Sequence, residues 1–304
     1  MDPRSIEPSG TPSPQPSAAG RSRAWVVALA GLAMVAFASN SLLCRLALRD
    51  TRIDAASFTT LRIVSGACVL WVLSRWSRRG SRSTPNWPSA LALFAYAAGF
   101  SFAYRSLSAA TGSLLLFGAV QATMMGAAVW AGERISAIQK AGILLALGGL
   151  VFLVMPGLSA PPLVDSLLMA GAGVAWGIYS LRGKGAEAPI LATGGNFLRA
   201  VPLVAGLSLV TASHLSLDGA GIGYAVASGA LASGVGYAIW YKVLPVLKST
   251  QAAIVQLSVP VLAACGAVVF LGESVTPRLA CAALAILAGI AIAVFERPSV
   301  RSSR

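Results

Sequence analysis

Ten apolar runs, each close to 20 residues long, divide the chain at about 24–44, 55–74, 88–106, 109–131, 137–155, 163–182, 189–211, 219–240, 249–271 and 278–295. One such run, wound as an α-helix, crosses a hydrocarbon core of about 30 Å. The apolarity is continuous, without the alternation that a membrane β-barrel strand needs. The predicted fold class is therefore an all-α integral membrane protein of ten transmembrane helices. Polar residues collect between the runs and at both ends. Residues 1 to about 20, rich in Pro, Ser and Gly, predict a disordered tail. The first run lacks the short apolar segment and A-x-A site of a signal peptide, so it reads as a retained helix.

The pattern also repeats. The phrase from Gly126 to Val154 returns 140 positions later, from Gly266 to Val294. Gly126, Ala127, Val129, Gly132, Glu133, Leu144, Leu147, Gly149 and Val154 meet identical residues at that offset. At offset 139, Ser41-Leu42 of run 1 matches Ser180-Leu181 of run 6. At offset 137, Leu61-Arg62 matches Leu198-Arg199, and Gly99, Tyr104 and Leu107 match Gly236, Tyr241 and Leu244. The matches are collinear, so the chain is two copies of a five-helix unit, residues 24–156 and 163–296, between tails 1–23 and 297–304. An odd number of helices makes the second copy enter the membrane from the opposite side. The result is an inverted repeat, the architecture that supports alternating access about a midplane site.

Charge then sets the orientation. With the N-terminus inside, the inner loops and tails hold 16 Lys and Arg and the outer loops 5. Both tails are thus expected in the cytoplasm, and the chain in a bacterial inner membrane. The net charge of +13 comes from residues spaced between apolar runs, with no compact basic domain, which excludes nucleic-acid binding. The four cysteines form no CxxC pair and the single histidine, His214, stands alone, so no metal site and no cofactor is implied. Neither a Gly-x-Ser-x-Gly elbow nor an HExxH helix occurs, so no enzyme is expected.

Asn40-Ser41 in run 1, Arg62 in run 2 and Gly132-Glu133 after run 4 have second-half partners in Tyr179-Ser180, Arg199 and Gly272-Glu273. Together with Pro260 in run 9, they make the chain resemble the ten-helix, two-EamA-repeat branch of the drug/metabolite transporter superfamily. Within it the likeness is to YddG-type exporters of aromatic and other neutral amino acids. The resemblance implies efflux of a small molecule through a central cavity, by a monomer or weak homo-oligomer in the lipid bilayer. Val120 stands opposite Pro260, so the halves differ there.

Candidate binding residues are polar or aromatic groups inside runs: Asn40, Ser41, Tyr96, Phe100, Gln121, Trp176, Tyr179, Tyr237 and Gln256. An amide facing lipid would be costly, so Gln121 is expected to face inward with a partner. Tyr104, Trp240 and Tyr241, near run ends, fit an interfacial belt equally well. Arg62 and Arg199 must be paired or snorkel; binding a substrate carboxylate is the alternative. Glu133 and Glu273 are either gate charges or local partners of the next helix N-terminus, where Ser136 and Thr276 suit the N-cap. Pro260 is a hinge candidate, and Pro202 and Pro260 should each kink a helix. All ten acidic residues fall in tails, loops or helix ends. Transport is thus expected to need no buried carboxylate. Ala285-x-x-x-Gly289-x-x-x-Ala293 and Gly142-x-x-x-Ala146 are packing seams, within the fold or in a dimer.

Overall fold

A computed structural model describes residues 23–75, 85–132, 136–157, 160–183, 186–247, 252 and 255–295. Among the described residues ten long helices follow one another: α1 Arg23–Asp50, α2 Ala55–Arg75, α3 Trp87–Ala103, α4 Ala109–Trp130, α5 Ala137–Val154, α6 Leu163–Gly183, α7 Pro189–Val210, α8 Gly219–Val246, α9 Ser258–Leu271 and α10 Pro277–Phe295. Eight are long and apolar enough to span a bilayer, while Trp87–Ala103 and Ser258–Leu271 are shorter. No strand occurs among the described residues. The fold is an all-α membrane bundle of two inverted five-helix repeats.

The packing pairs obey the repeat. The partners α5 with α10, and α2 with α7, are repeat-related helices that meet each other. The contact of α3 with α6 recurs as α8 with α1, and that of α4 with α6 recurs as α9 with α1. The α5–α10 seam is a close one. A Cβ at Gly142 would lie 2.6 Å from the Gly289 carbonyl oxygen, and one at Gly289 would lie 2.6 Å from the Ala146 nitrogen. The small-residue motifs are therefore a seam inside the fold, because only small residues let two helix backbones approach this far. Large apolar side chains such as Leu144, Leu167, Val269, Phe270 and Leu284 face outward as the lipid-contacting surface.

The repeated Gly-Glu phrase has a backbone cause. Gly132 and Gly272 end α4 and α9 with φ of 85° and 63°, the left-handed turn that glycine adopts without a Cβ penalty. Ser136 caps α5 in a reciprocal box with Gln139, and the Thr276 hydroxyl accepts the Leu279 N–H. Several boundaries depart from the apolar runs, α8 among them, which runs on to Val246 rather than stopping near 240. Helix α1 continues to Asp50 rather than stopping near 44, because Arg45 and Arg49 find polar partners beyond the apolar stretch. The ninth run is broken at Leu257, and α9 begins at Ser258, so Pro260 lies in its first turn. A proline there removes no bond from α9; its ring opposes only continuation of the preceding turn through the Gln256 carbonyl. Pro202 does lie inside its helix, α7.

Two loops at the α1–α2 end clasp each other. The Asp54 carboxylate accepts the N–H groups of Ala56 (3.0 Å) and Ser57 (2.9 Å), capping α2, and that of Ser216 (3.1 Å). Asp218 in turn accepts the N–H groups of Arg52 (2.7 Å) and Gly221, capping α8. Partial burial acts to raise the Asp54 pKa, but the hydrogen bonds from Ser57, Ser216 and Ala56 outweigh it, and the net direction is downward. Asp218, partly exposed, is lowered by the backbone N–H groups of Arg52 and Gly221. A lowered folded pKa gives stability that is complete above the unfolded value and lost as pH falls through the folded one. The melting advantage of the native protein over Asp54→Asn is therefore expected to hold at neutral pH and to shrink below about pH 4. An advantage independent of pH would remove the carboxylate from the clasp.

Candidate functional site

Helix α2 carries Arg62 about 10 Å along its axis from Ala55, at 1.5 Å per residue. The side chain is 2% exposed, so it does not snorkel. Among the described residues the only ion pairs are Arg45–Glu273 and Arg49–Asp50, so Arg62 is not ion-paired either. Its guanidinium lies over the rings of Tyr96 (5.1 Å) and Phe100 (4.8 Å), and Nη2 donates to the Tyr96 hydroxyl at 2.8 Å. The other terminal nitrogen, Nη1, is buried without a partner. Cation–π contact and one hydrogen bond thus stand where an acid would be expected.

A chain of neutral polar groups continues from there. The Asn40 amide donates to the same Tyr96 hydroxyl at 3.2 Å, and its carbonyl accepts the Ser228 hydroxyl at 2.6 Å. Ser228 opens a π-helical stretch, Ser228–Val235, in the middle of α8. Such stretches are uncommon and concentrate at functional sites. This one is pressed onto α2. A Cβ at Gly229 would fall on the Arg62 carbonyl and the Ser65 hydroxyl, and one at Gly234 would come 2.8 Å from Val69.

Aromatic rings complete the cluster. Trp176 of α6 stacks on Tyr179 (5.3 Å, 25°) and on Tyr237 of α8 (5.4 Å, 16°), and also meets Tyr96 at 4.8 Å. Tyr237 touches Phe37 and Phe197. Tyr96, Phe100, Tyr179 and Tyr237 are buried, whereas Trp176 is only partly so. The two halves thus interleave: α1, α2 and α3 contribute Phe37, Asn40, Arg62, Tyr96 and Phe100, and α6 and α8 contribute Trp176, Tyr179, Ser228 and Tyr237.

Other expected residues lie apart from this cluster. Gln121 is buried in α4, but among the described residues no hydrogen bond holds its amide. Gln256 is half-buried at the break before α9. Ser41 is buried beside Tyr104, whose hydroxyl donates to the Ala109 carbonyl at 3.3 Å. Arg199 does not mirror Arg62: it is half-exposed and donates to its own helix at the Gly195 carbonyl, 3.3 Å away. The repeat supplies a reason, since Ser233 stands where Tyr96 does in the first half and leaves no hydroxyl-bearing ring to receive the cation. Tyr104 and Trp240 are buried against Phe100 and Phe37, so they are core residues and not an interfacial belt. Phe37 and Ser228 were not anticipated. Phe37 could have been found as the repeat partner of Trp176; Ser228, in a run of Gly, Ala and Ser, has no such signal.

A second polar assembly closes the α1–α2 end. Glu273, in the α9–α10 hairpin, pairs with Arg45 of α1 at 3.2 Å and accepts the Ala109 N–H at 2.8 Å. It therefore serves the N-terminus of α4 in the other half, not that of the following helix. Arg45 also donates to the Tyr104 and Arg105 carbonyls, both at 3.1 Å, and Arg49 reaches the Leu271 carbonyl at 2.9 Å. Glu133, the repeat partner, lies outside the described residues. At the opposite end Arg182 donates to Ser89 (3.1 Å) and Asn86 (3.2 Å), and the Thr193 hydroxyl to that of Tyr241 (3.2 Å).

The family model for EamA-like transporters matches residues 24–155 and again 165–295. An uncharacterised protein of Pseudomonas aeruginosa is 56% identical over 268 residues, which cover 88% of this chain and 93% of that protein. A protein of known crystal structure aligns over 90% of this chain and 98% of its own, with a TM-score of 0.61 and 21% identity, a likeness of fold.

Proposed function

The chain belongs to the EamA-like transporter family, within the drug/metabolite transporter superfamily, and we propose that it works there as a secondary exporter of aromatic and other neutral amino acids. The observation that carries this reading is the cluster between the halves, in which stacked rings from both repeats surround a few neutral polar groups and one arginine. Flat apolar bodies with a small polar end suit such a lining, whereas sugar phosphates would want several cations. The likeness to YddG-type exporters points the same way. In this proposal residues 24–156 and 163–296 rock against one another, both tails lie in the cytoplasm, and a monomer in the inner membrane suffices. Asp50, Asp54, Asp165, Glu187, Asp218 and Glu273 lie at helix ends or in loops, which favours exchange or downhill movement over proton-coupled pumping.

Counterflow in proteoliposomes tests the proposal. Unlabelled L-phenylalanine inside should drive transient uptake of labelled L-phenylalanine, with competition by tryptophan and leucine and none by a nucleoside or a hexose. Uptake without trans-stimulation would mean a channel. Competition by nucleosides alone would reassign the substrate, and uphill movement strictly driven by a proton gradient would overturn the uncoupled mechanism.

A further inference from the structure

A buried guanidinium with a free N–H vector and no acid is costly in a membrane: about 2.5–3.5 kcal/mol even on insertion scales, which include local relaxation. The Tyr96 and Phe100 faces and the Tyr96 hydroxyl offset part of that cost. They leave Nη1 unsatisfied, and a buried donor without an acceptor is a standing penalty that a bound acceptor would relieve. An arginine fork matches a carboxylate in shape as well as charge. The surrounding groups are neutral: Asn40 and Cys44 from α1, Tyr96, Phe100 and Ser101 from α3, Trp176 and Tyr179 from α6, Phe197 from α7, and Ser228 and Tyr237 from α8.

We infer that Arg62 is the anchor for the carboxylate of the transported solute, and that the site prefers an organic monocarboxylate with a flat apolar body over its zwitterionic amino-acid counterpart. The inference rests on the reading of this cluster as the translocation site, and it ranks the acid without an amino group above the amino acids named in that reading. A carboxylate on Nη1 makes the site neutral overall. An ammonium on the next carbon meets no acid and faces the Arg62 cation, so it adds desolvation cost without a partner. The flat body has a slot of the right kind. Trp176 is the partly exposed ring in an otherwise buried stack, held between Tyr179 and Tyr237 with near-parallel planes. A solute ring that displaces it regains the same two faces beside Tyr96.

Three probes share one phenyl-ethyl body: 3-phenylpropionate (carboxylate only), L-phenylalanine (zwitterion) and 2-phenylethylamine (ammonium only). Binding to the purified full chain in detergent, followed by tryptophan fluorescence and by melting temperature, requires no transport. The expected order is 3-phenylpropionate tightest, L-phenylalanine weaker, and 2-phenylethylamine without effect. Arg62→Gln should weaken 3-phenylpropionate by about tenfold to a hundredfold, the loss of a charged hydrogen-bonded pair, and erase its preference over L-phenylalanine. Arg62→Lys keeps the charge without the fork and should fall between. It also serves, with the native-protein series, if Arg62→Gln does not fold. Equal binding of 2-phenylethylamine, unchanged 3-phenylpropionate affinity in Arg62→Gln, or no binding of 3-phenylpropionate would each overturn the anchor. Counterflow of L-phenylalanine that persists at full rate in Arg62→Gln would overturn it too, while leaving the export reading intact. If 3-phenylpropionate binds as expected but no amino acid shows counterflow, the anchor stands and the amino-acid reading falls.

Discussion

With Cys68, Cys265 and Cys281 replaced by alanine, Glu273→Gln is expected to let a water-soluble maleimide reach Cys44 at least about tenfold faster than in the same background with Glu273. Cys44 is 0% exposed and sits on α1 between Asn40 and Arg45, with its thiol against Ser101. It reports opening of the α1–α2 end because water must pass the Arg45–Glu273 assembly to reach it. The pair is mostly shielded, with side-chain exposures of 14% and 10%, and Glu273 also satisfies the first turn of α4. Gln keeps the shape but removes the charge, and its single amide oxygen can accept from Arg45 or from the Ala109 N–H but not from both. Hydrogen bonds to charged groups contribute about 1.5–3 kcal/mol each, and every 1.4 kcal/mol is a factor of ten in the closed-to-open ratio. The contacts cross from one half to the other, so the loss falls on the equilibrium between states more than on either half. Arg45→Gln should raise the same rate, and the double variant should add little to either single one. Additive effects, or a Cys44 rate unchanged by Glu273→Gln, would reduce the pair to a surface ion pair with no hold on that end.

The elements most legible in the sequence are those set by one-dimensional rules. Run length gave ten spans, the 140-residue echo gave the two halves, and Gly142, Ala146 and Gly289 announced the α5–α10 seam before any contact was known. Ser136 and Thr276 were readable as caps because capping is local. The site was partly readable: Asn40, Tyr96, Phe100, Trp176, Tyr179 and Tyr237 do converge. Gln121 and Gln256 do not join them, since a polar residue in a run signals only that it avoids lipid, not which neighbours it meets. The repeat even misled at Arg199, because identical residues at Arg62 and Arg199 conceal the change of their ring partner from Tyr96 to Ser233. Whether a cation has an acid beside it is a fact about space, and the absence of one around Arg62 could not be read along the chain. The π stretch was silent for another reason. Ser228–Val235 is an ordinary apolar run of small residues, and its departure from the α-helix is set by what α2 presses against it.

That pressure makes Gly229→Ala the most disruptive conservative change expected in the protein. A single methyl there would overlap the Arg62 carbonyl and the Ser65 hydroxyl. Ser65 can rotate, but the carbonyl belongs to the α2 backbone and cannot, so α2 and α8 must separate. Gly66 shows that little slack exists: a Cβ there would lie 3.2 Å from the Gly229 carbonyl and 2.7 Å from the Phe197 ring. Overpacking of this kind costs about 1–3 kcal/mol, more where backbone must move. The melting temperature in detergent should drop by about 10 °C or the protein should fail to purify as a single species. Gly223→Ala, in the same helix with nothing within 4 Å of its Cβ, is the control. It should be neutral or slightly stabilising, since alanine favours the helix over glycine by about 1 kcal/mol. The contrast separates helix propensity from contact between helices. A Gly229→Ala protein that melts with the native one would mean that α2 and the π stretch are not in backbone contact. The consequence reaches the site, because the same carbonyl belongs to Arg62 and the neighbouring Ser228 holds Asn40. A shift of α8 large enough to admit one methyl therefore also moves the polar chain that ends on the Tyr96 hydroxyl. Any Gly229→Ala protein that still folds is accordingly expected to lose 3-phenylpropionate binding before it loses its helices, which circular dichroism and fluorescence on one sample can separate.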